Sequence, residues 1–178
     1  MNVLTRNGVV VAGRPRQVFG CDVETGEVLW SYSHRKGGDT PAQLIWDESR
    51  QRVILCGLWY MTAALDIQTG EFAWQETEHP ANLRNNTPCI SGNIHYGSGQ
   101  NWVYCHELAT GKLIRKEQKD FFMDSHGKAV VEGDVIYCST GDKGVVAMDK
   151  DTFDVLRFYP AGPAAISTAP YLYGGVQK

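Results

Sequence analysis

A repeat with a period near 42 residues is the feature of this sequence that most restricts its fold. Four segments align with one another: Gly20–Trp30, Ala64–Trp74, Cys105–Arg115 and Ala147–Arg157. Each carries an acid followed three residues later by a threonine, and the acids are Asp22, Asp66, Glu107 and Asp149. Successive acids are 44, 41 and 42 residues apart. A period of this length in a chain of short apolar runs is typical of four-stranded propeller blades.

Each repeated segment is predicted to form two strands joined by a tight turn. The acid ends the first strand, where its carboxylate can accept hydrogen bonds from backbone N–H groups of the turn. Gly26, Gly70 and Gly111 then provide positions at which φ can be positive. The second strand leads to Trp30 or Trp74, whose indole can pack on a neighbouring blade while its N–H finds a partner.

Two further strand-like runs precede the segment in the second, third and fourth units. They cover residues 41–46 and 52–58, 88–91 and 93–97, and 128–131 and 134–139, with turn residues between them. Only residues 82–86 and 120–125 could form a short helical turn. The sequence therefore predicts an all-β protein, a β-propeller of four-stranded antiparallel blades. The blades are expected at about 2–34, 40–77, 86–118 and 127–160, with the start of a fifth blade at about 167–178.

The four segments resemble the family of pyrroloquinoline-quinone-like (PQQ-like) repeats. The tryptophan-docking motif of that family is approximately Ala-x-Asp-x-x-Thr-Gly-x-x-x-Trp, and Ala64 to Trp74 matches it at every position. The departures are Gly20 in the first copy, Cys105, Glu107 and Arg115 in the third, and Phe153 and Arg157 in the fourth. Because the third and fourth copies lack the indole, weaker docking is expected there.

The resemblance covers nearly the whole chain and implies structural roles for the motif residues. These anchors are Asp22, Gly26, Trp30, Asp66, Gly70, Trp74, Glu107, Gly111 and Asp149. The resemblance implies no single chemistry, because such repeats occur in quinoprotein dehydrogenases, in envelope assembly scaffolds, in sensor regions of bacterial kinases and in propellers attached to hydrolases.

Propellers of this family usually close with seven or eight blades, so four blades would form an arc with apolar flanks. Two explanations stay open. The chain is a piece of a longer protein, or two copies join head to tail into an eight-bladed ring, with residues 171–173 of one copy pairing with the first strand, residues 2–5, of the other. Residues 1–20 lack the pattern of a signal peptide, which predicts a cytoplasmic protein if the chain is complete and a cell-envelope protein if it is part of a longer secreted one.

A possible ligand face is expected where the loops between second and third strands meet the loops between blades. The candidate residues on these loops are Arg14, Trp59, Tyr60, Asn86, Trp102 and His126. Such residues suit a small-molecule or peptide site. They also suit a solvated rim whose aromatic rings pack against adjacent loops, and the sequence favours this second interpretation. His34 and His79 also lie on inter-blade loops, but no metal-binding spacing accompanies them, so no metal site is predicted.

Catalytic motifs are absent from the sequence, which has no Gly-x-Ser-x-Gly elbow, P-loop or dinucleotide fingerprint. Quinoprotein dehydrogenases hold their quinone beneath a vicinal disulfide, with a calcium ion bound by Glu, Asn and Asp. None of the five cysteines is adjacent to another, so no quinone or calcium residue carries over and no cofactor is predicted. The cysteines are expected to be small buried hydrophobes.

The remaining expectations concern partners. A net charge of −3 does not favour nucleic acid, and no apolar run approaches the roughly 20 residues of a membrane span. The sequence therefore favours a non-catalytic binding or scaffold propeller for a protein or small-molecule ligand, with self-association as a way to close the ring. The alternatives are a fragment of a quinone-dependent oxidoreductase and an accessory propeller of a larger hydrolase, such as a metallophosphoesterase.

Overall fold

Sixteen strands make up almost all of the regular structure in the part of the chain that the computed structural model describes. That part comprises residues 2–14, 17–33, 43–56, 61–77, 88–99, 101–122, 129–140 and 144–161. The strands form four antiparallel sheets, each built from four strands that are consecutive in sequence. This confirms the prediction of an all-β propeller with four-stranded antiparallel blades.

We number the four sheets as blades 1 to 4. Blade 1 contains β1 (Asn2–Arg6), β2 (Val9–Arg14), β3 (Gln17–Asp22) and β4 (Val28–Ser33). Blade 2 contains β5 (Gln43–Asp47), β6 (Arg52–Cys56), β7 (Thr62–Asp66) and β8 (Phe72–Glu76). Blade 3 contains β9 (Cys89–Ser91), β10 (Ile94–Gly99), β11 (Trp102–Glu107) and β12 (Leu113–Gln118). Blade 4 contains β13 (Ala129–Glu132), β14 (Val135–Ser139), β15 (Gly144–Asp149) and β16 (Val155–Pro160).

The predicted helical turn at 120–125 is present in part, as one turn of 3₁₀ helix at Asp120–Phe122. The other predicted turn, at 82–86, and the start of a fifth blade at 167–178 lie outside the described residues. No helix within the described ranges has the length and apolar character that crossing a bilayer would require.

The cores of the protein lie between neighbouring blades, because successive residues of a strand point to opposite faces of its sheet. Strand β6 shows this most clearly. Val53 and Leu55 pack towards blade 1, whereas Ile54 and Cys56 pack towards blade 3, and all four are buried. Burial on both faces explains why this strand reads as a continuous apolar run instead of an alternating one.

The four blades are stacked but do not close into a ring. On β16, the last strand of blade 4, Tyr159 is accordingly 41% exposed, whereas Tyr32 at the same position of blade 1 packs against the core between blades 1 and 2. The outer side of blade 1 likewise exposes Val3 and Val23. The arc therefore has two flanks on which apolar surface meets solvent.

Candidate functional site

The same turn joins the third and fourth strands of each blade. In blade 1, Oδ1 of Asp22 accepts hydrogen bonds from the backbone N–H groups of Glu24, at 3.0 Å, and Thr25, at 2.8 Å. Asp66 and Asp149 accept from the corresponding N–H groups of their own turns. Hydrogen bonds to the ionised form stabilise it, and those from the threonine and its neighbour hold the pKa of Asp22 and of Asp149 below the usual value. These carboxylates are thus occupied in forming the turns.

Blade 3 forms this turn with a glutamate. The Thr110 hydroxyl donates to Oε2 of Glu107 at 2.6 Å, and Asn93 Nδ2 donates to Oε1 at 3.5 Å. The backbone is unchanged, because the Gly111 N–H donates to the Glu107 carbonyl at 2.8 Å, as the Gly26 N–H does to Asp22 at 3.0 Å. The longer side chain keeps the threonine hydroxyl as a donor, as Asp22 does with Thr25, and adds Asn93, while the turn keeps its shape.

The turn of one blade receives the tryptophan of the blade before it. The Nε1–H of Trp30 donates to the carbonyl of Ile67 at 2.8 Å, and that of Trp74 donates to the carbonyl of Leu108 at 2.8 Å. Both indoles are 8% exposed. Each carbonyl belongs to the residue that follows the acid of the receiving turn. We call this receiving surface, formed by that carbonyl and by the turn glycine, the docking seat.

The docking seat requires glycine for two reasons. Gly70 and Gly111 have φ of 71° and 74°, a region that other residues adopt at a cost. In addition, a Cβ on Gly70 would lie 2.5 Å from the Trp30 ring, and a Cβ on Gly111 would overlap the Trp74 ring. A side chain at this position and a docked indole therefore exclude each other.

Gly20, the one departure in the first copy of the motif, is explained by the same tryptophan. Gly20 pairs with Trp30 across β3 and β4, next to a register shift that recurs at Ala64/Leu65 of blade 2. A Cβ on Gly20 would overlap the indole of Trp30. The glycine thus lets Trp30 lie directly against its own sheet.

The junction between blades 3 and 4 uses a different residue. Phe153 occupies the glycine position of the blade 4 turn, with φ of 61°, and its N–H donates to the Asp149 carbonyl at 2.9 Å. The Phe153 side chain is fully buried against blade 3, in a cluster that includes Cys105 and Tyr96. At the tryptophan position of blade 3, Arg115 is partly exposed and pairs with Glu117 at 2.9 Å. The aromatic ring of this junction therefore comes from the receiving turn.

Sequence reasoning expected only weaker docking at this junction and missed the role of Phe153. The signal was nonetheless present in two positions of the repeat. The third copy lacks the tryptophan, and the fourth copy lacks the glycine that would receive it. Since a turn side chain and a docked indole exclude each other, the two departures compensate one another.

The turns between the first and second strands of each blade lie on the same side of the protein as the acid-containing turns. Their side chains connect neighbouring blades. Asn7 Nδ2 donates to Gln51 Oε1 at 2.6 Å, and Gln68 Nε2 donates to the Asn7 carbonyl at 2.8 Å, joining blades 1 and 2. Arg50 donates to Asn93, joining blades 2 and 3. We call this side the turn face. Its side chains bond to one another and hold the blades in place.

A buried polar cluster lies between blades 2 and 3. His95 and His106 are opposite each other on β10 and β11, fully buried, with ring centroids 5.7 Å apart. The Tyr104 ring lies 5.3 Å from His106, and Cys56 Sγ lies 3.2 Å from His95 Nε2. Burial raises the pKa of the Tyr104 hydroxyl and of the Cys56 thiol well above their usual ranges. The described residues contain no group of three His, Cys, Asp or Glu arranged to bind a metal ion.

The opposite side of the blades, which we call the loop face, carries the connections between second and third strands. Of the six predicted ligand residues, Trp59, Tyr60, Asn86 and His126 lie outside the described residues, and Arg14 ends β2. Trp102 begins β11 and is half-buried, with Lys116 Nζ 4.3 Å from the centroid of its ring. Burial lowers the pKa of Lys116. Trp102 and Lys116 thus form a cation–aromatic pair in the described part of the loop face, and the grouping of all six predicted residues stays a prediction.

Stacked four-stranded sheets, joined by tryptophans docked on Asp-x-x-Thr-Gly or Glu-x-x-Thr-Gly turns, define a PQQ-like β-propeller. Residues 2–157 match a family model described as outer membrane protein assembly factor BamB. The chain belongs to this family, which confirms the resemblance seen in the repeats.

Solved structures of several kinds share this fold. BamB from Moraxella catarrhalis matches with a TM-score of 0.72 and 20% identity, over 88% of this chain and 47% of that one. The computationally designed Ika4 protein matches with a TM-score of 0.60 and 17% identity, over 83% of this chain and 88% of that one. Quinohemoprotein alcohol dehydrogenase ADHIIG from Pseudomonas putida HK5 matches with a TM-score of 0.64 and 15% identity, over 90% and 34%.

The chain therefore spans about half the length of the BamB structure that it matches. At these identities the likeness shows the fold alone. Among curated protein sequences, none matches the chain.

Proposed function

We propose that the protein is a non-catalytic binding module that contacts a protein partner through its loop face. The observation that carries the proposal is how the repeat residues are used. The carboxylates of Asp22, Asp66 and Asp149 accept hydrogen bonds within their turns, and both docked indoles bond to the neighbouring blade. The recurring chemistry thus builds the scaffold, and binding falls to the loops that the scaffold displays.

The family supports a protein as the partner. The family model is named for an outer membrane protein assembly factor. Trp102 and Lys116 fit such a contact, since a half-buried aromatic ring with a cation over it offers both apolar area and charge. Aromatic residues of this kind often contribute most of the free energy of binding at protein interfaces.

Site-specific photocrosslinking in the host cell tests this assignment. A benzophenone amino acid replaces Trp102 on the loop face in one variant and Lys112, which is exposed on the turn face, in another. The expected result is a crosslink to one defined polypeptide from position 102 and none from position 112. Crosslinks to the same polypeptides from both positions, or from neither, would contradict the proposal.

A parallel titration tests the alternative that the chain is a fragment of a quinone-dependent oxidoreductase. Pyrroloquinoline quinone and Ca²⁺ are added to the purified protein, and the quinone absorbance and the melting temperature are followed. If the protein is a non-catalytic binding module, neither the quinone absorbance nor the melting temperature should change. A saturable absorbance change together with a higher melting temperature would favour quinone chemistry instead.

A further inference from the structure

A buried pair of histidines distinguishes the junction between blades 2 and 3 from the two junctions beside it. His95 and His106 pair across β10 and β11, and both side chains are fully buried. The pair faces blade 2, because Sγ of Cys56 on β6 lies 3.2 Å from Nε2 of His95. Complete burial is less common for histidine than for aliphatic residues. The two imidazoles are therefore part of the contact between the blades.

Blades 2 and 4 carry apolar residues at the two positions of this pair. The repeat fixes both positions, since one residue directly precedes the acid of the turn and the other is its partner on the second strand. The equivalent pairs, which are fully buried against the preceding blade, are Val53–Leu65 in blade 2 and Ile136–Met148 in blade 4. Imidazoles thus stand where the repeat elsewhere places apolar side chains.

Two neighbours of the pair stay uncharged in neutral and acid solution. The Tyr104 ring lies 5.3 Å from His106, and burial raises the pKa of the Tyr104 hydroxyl and of the Cys56 thiol well above their usual ranges. The charged side chains on the strands and turns that meet at this junction are Arg50, Arg52, Asp66 and Glu76 of blade 2 and Lys116 of blade 3. Those of blade 2 stand in a turn or at the end of a strand, away from the middle of the sheet.

This junction also has the smallest apolar core of the three within the described ranges. The clusters between blades 1 and 2 and between blades 3 and 4 contain ten and nine buried residues. The cluster between blades 2 and 3 contains five, with Tyr104 apart from them. Since hydrophobic stabilisation scales with the apolar area buried, apolar contacts stabilise this junction least. It is therefore the place at which the arc can part into two pairs of blades.

We propose that the junction between blades 2 and 3 is acid-sensitive, and that protonation of His95 and His106 separates blades 1 and 2 from blades 3 and 4. In the closed junction the two ring centroids are 5.7 Å apart and both rings are shielded from water. Burial and the proximity of a like charge both disfavour imidazolium there. In the open junction the same rings meet water and take up protons below about pH 6.5.

The direction and the size of the effect follow from proton linkage. The open junction binds more protons in acid than the closed one does, so the closed form loses stability as the pH falls below about 6.5. Two groups that titrate only in the open form change the opening equilibrium by about a hundredfold between about pH 7.5 and about pH 5.5. This window lies above the range near about pH 4 in which free carboxyl groups titrate. The loop face plays no part in it, so the inference is independent of the proposed function.

Two indole N–H groups report on neighbouring junctions in one experiment. The Trp74 N–H donates to blade 3 across the acid-sensitive junction, and the Trp30 N–H donates to blade 2 across the first junction, both at 2.8 Å. NMR of the full chain in deuterated water measures the protection of each group against hydrogen exchange. The ratio of the two removes the effect of pH on the exchange chemistry itself. From about pH 7.5 to about pH 5.5, the protection of Trp74 relative to Trp30 should fall by about tenfold or more.

Substitutions assign the effect to the pair. His95→Val with His106→Leu installs the residues that blade 2 carries at these positions, and the ratio should then change by less than about twofold. Tyr104→Phe is the matched control, because it removes a polar group of the same cluster and no histidine, and it should keep the fall. The other three histidines are present in every protein. If circular dichroism shows that the double variant is unfolded, His106→Gln alone decides, with a fall about tenfold smaller than in the unaltered protein.

Three results would overturn the proposal. A fall of less than about tenfold in the unaltered protein would show that acid does not open this junction ahead of its neighbour. An equal fall in the histidine variant would assign the acid response to other groups. Loss of the fall in Tyr104→Phe would show that the response depends on the hydroxyl group and not on the charge of the histidines.

Discussion

The junction between blades 3 and 4 should be convertible into the kind of junction that joins blades 1, 2 and 3. The change is Phe153→Gly together with Arg115→Trp. Phe153 is buried at the glycine position of the receiving turn, and Arg115 stands at the tryptophan position of the preceding blade. If a turn side chain and a docked indole exclude each other, each substitution alone should be harmful and the pair should be much less so.

The expected changes in the free energy of unfolding follow from how deeply each side chain is buried. Phe153→Gly removes a fully buried ring at a cost of about 3–5 kcal/mol, less about 1 kcal/mol of relieved strain at its positive φ. Arg115→Trp alone brings an indole against the Phe153 ring, for an overpacking cost of about 1–3 kcal/mol. In the double variant the indole buries about 200 Å² and gains a hydrogen bond to the Lys150 carbonyl of about 1 kcal/mol. We expect a favourable coupling free energy of about 2–3 kcal/mol.

Urea denaturation of the unaltered protein, both single variants and the double variant gives the coupling directly. Circular dichroism reports the unfolding of the sheets, and a blue-shifted fluorescence spectrum of the new tryptophan should appear only in the double variant. Ile114→Trp with Phe153→Gly is the matched control, because Ile114 is an exposed neighbour on the same strand. It should give no rescue.

The reasoning fails if the changes in free energy of unfolding caused by the two substitutions add to within about 0.5 kcal/mol, which is the scatter expected of independent sites. It also fails if Ile114→Trp rescues as well as Arg115→Trp does. Either outcome would mean that Phe153 and a docked indole do not compete for one position.

Three further predictions address other parts of the molecule. Gly97→Ala should lower the free energy of unfolding by about 1–3 kcal/mol, since its Cβ would overlap the Tyr104 hydroxyl and ring, and an unchanged urea midpoint would contradict this. The pKa of Asp149 is lower in the folded state than in the unfolded chain. Ionised Asp149 therefore adds to the free energy of unfolding above about pH 4, and this stabilisation is lost as the pH falls through the folded-state pKa. In Asp149→Asn the urea midpoint should therefore fall less steeply as the pH is lowered than it does in the unaltered protein. Equal slopes for the two proteins would refute the stabilising role of ionised Asp149. Burial raises the pKa of Cys138 to about 12 and that of Cys56 beyond the usual range, so iodoacetamide at neutral pH should label both only after unfolding. Labelling of the native protein at the rate of a free thiol would show that the strands open.

The fold was predictable because the decisive contacts are local or periodic. Asp22 bonds to N–H groups two and three residues ahead, so five residues of sequence specify the turn. The spacing from acid to tryptophan recurs in two copies and fixes where the indole leaves its strand. A repeated local rule needs no knowledge of the rest of the chain.

The buried cluster between blades 2 and 3 could not be predicted in this way. The sequence places His95 and His106 on strands, but Cys56 lies 39 residues before His95 and meets it only through the stacking of two blades. Which face of a strand turns towards its neighbour depends on register, and a shift of one residue would send every side chain to the other face. The predicted ligand face is harder still, because loops carry no period and most of its candidates lie outside the described residues.

The junctions also explain how similar blades can keep a fixed order. Blades built on one motif could in principle stack in any sequence, and this ambiguity is a hazard for repeat proteins. Here the junctions differ: Trp30 and Trp74 need a glycine turn, whereas the Phe153 turn excludes an indole. A tryptophan-bearing blade that met the Phe153 turn would clash, and the Arg115 strand laid on a glycine turn would leave a void. The same side chains that stabilise each junction therefore disfavour the wrong neighbours.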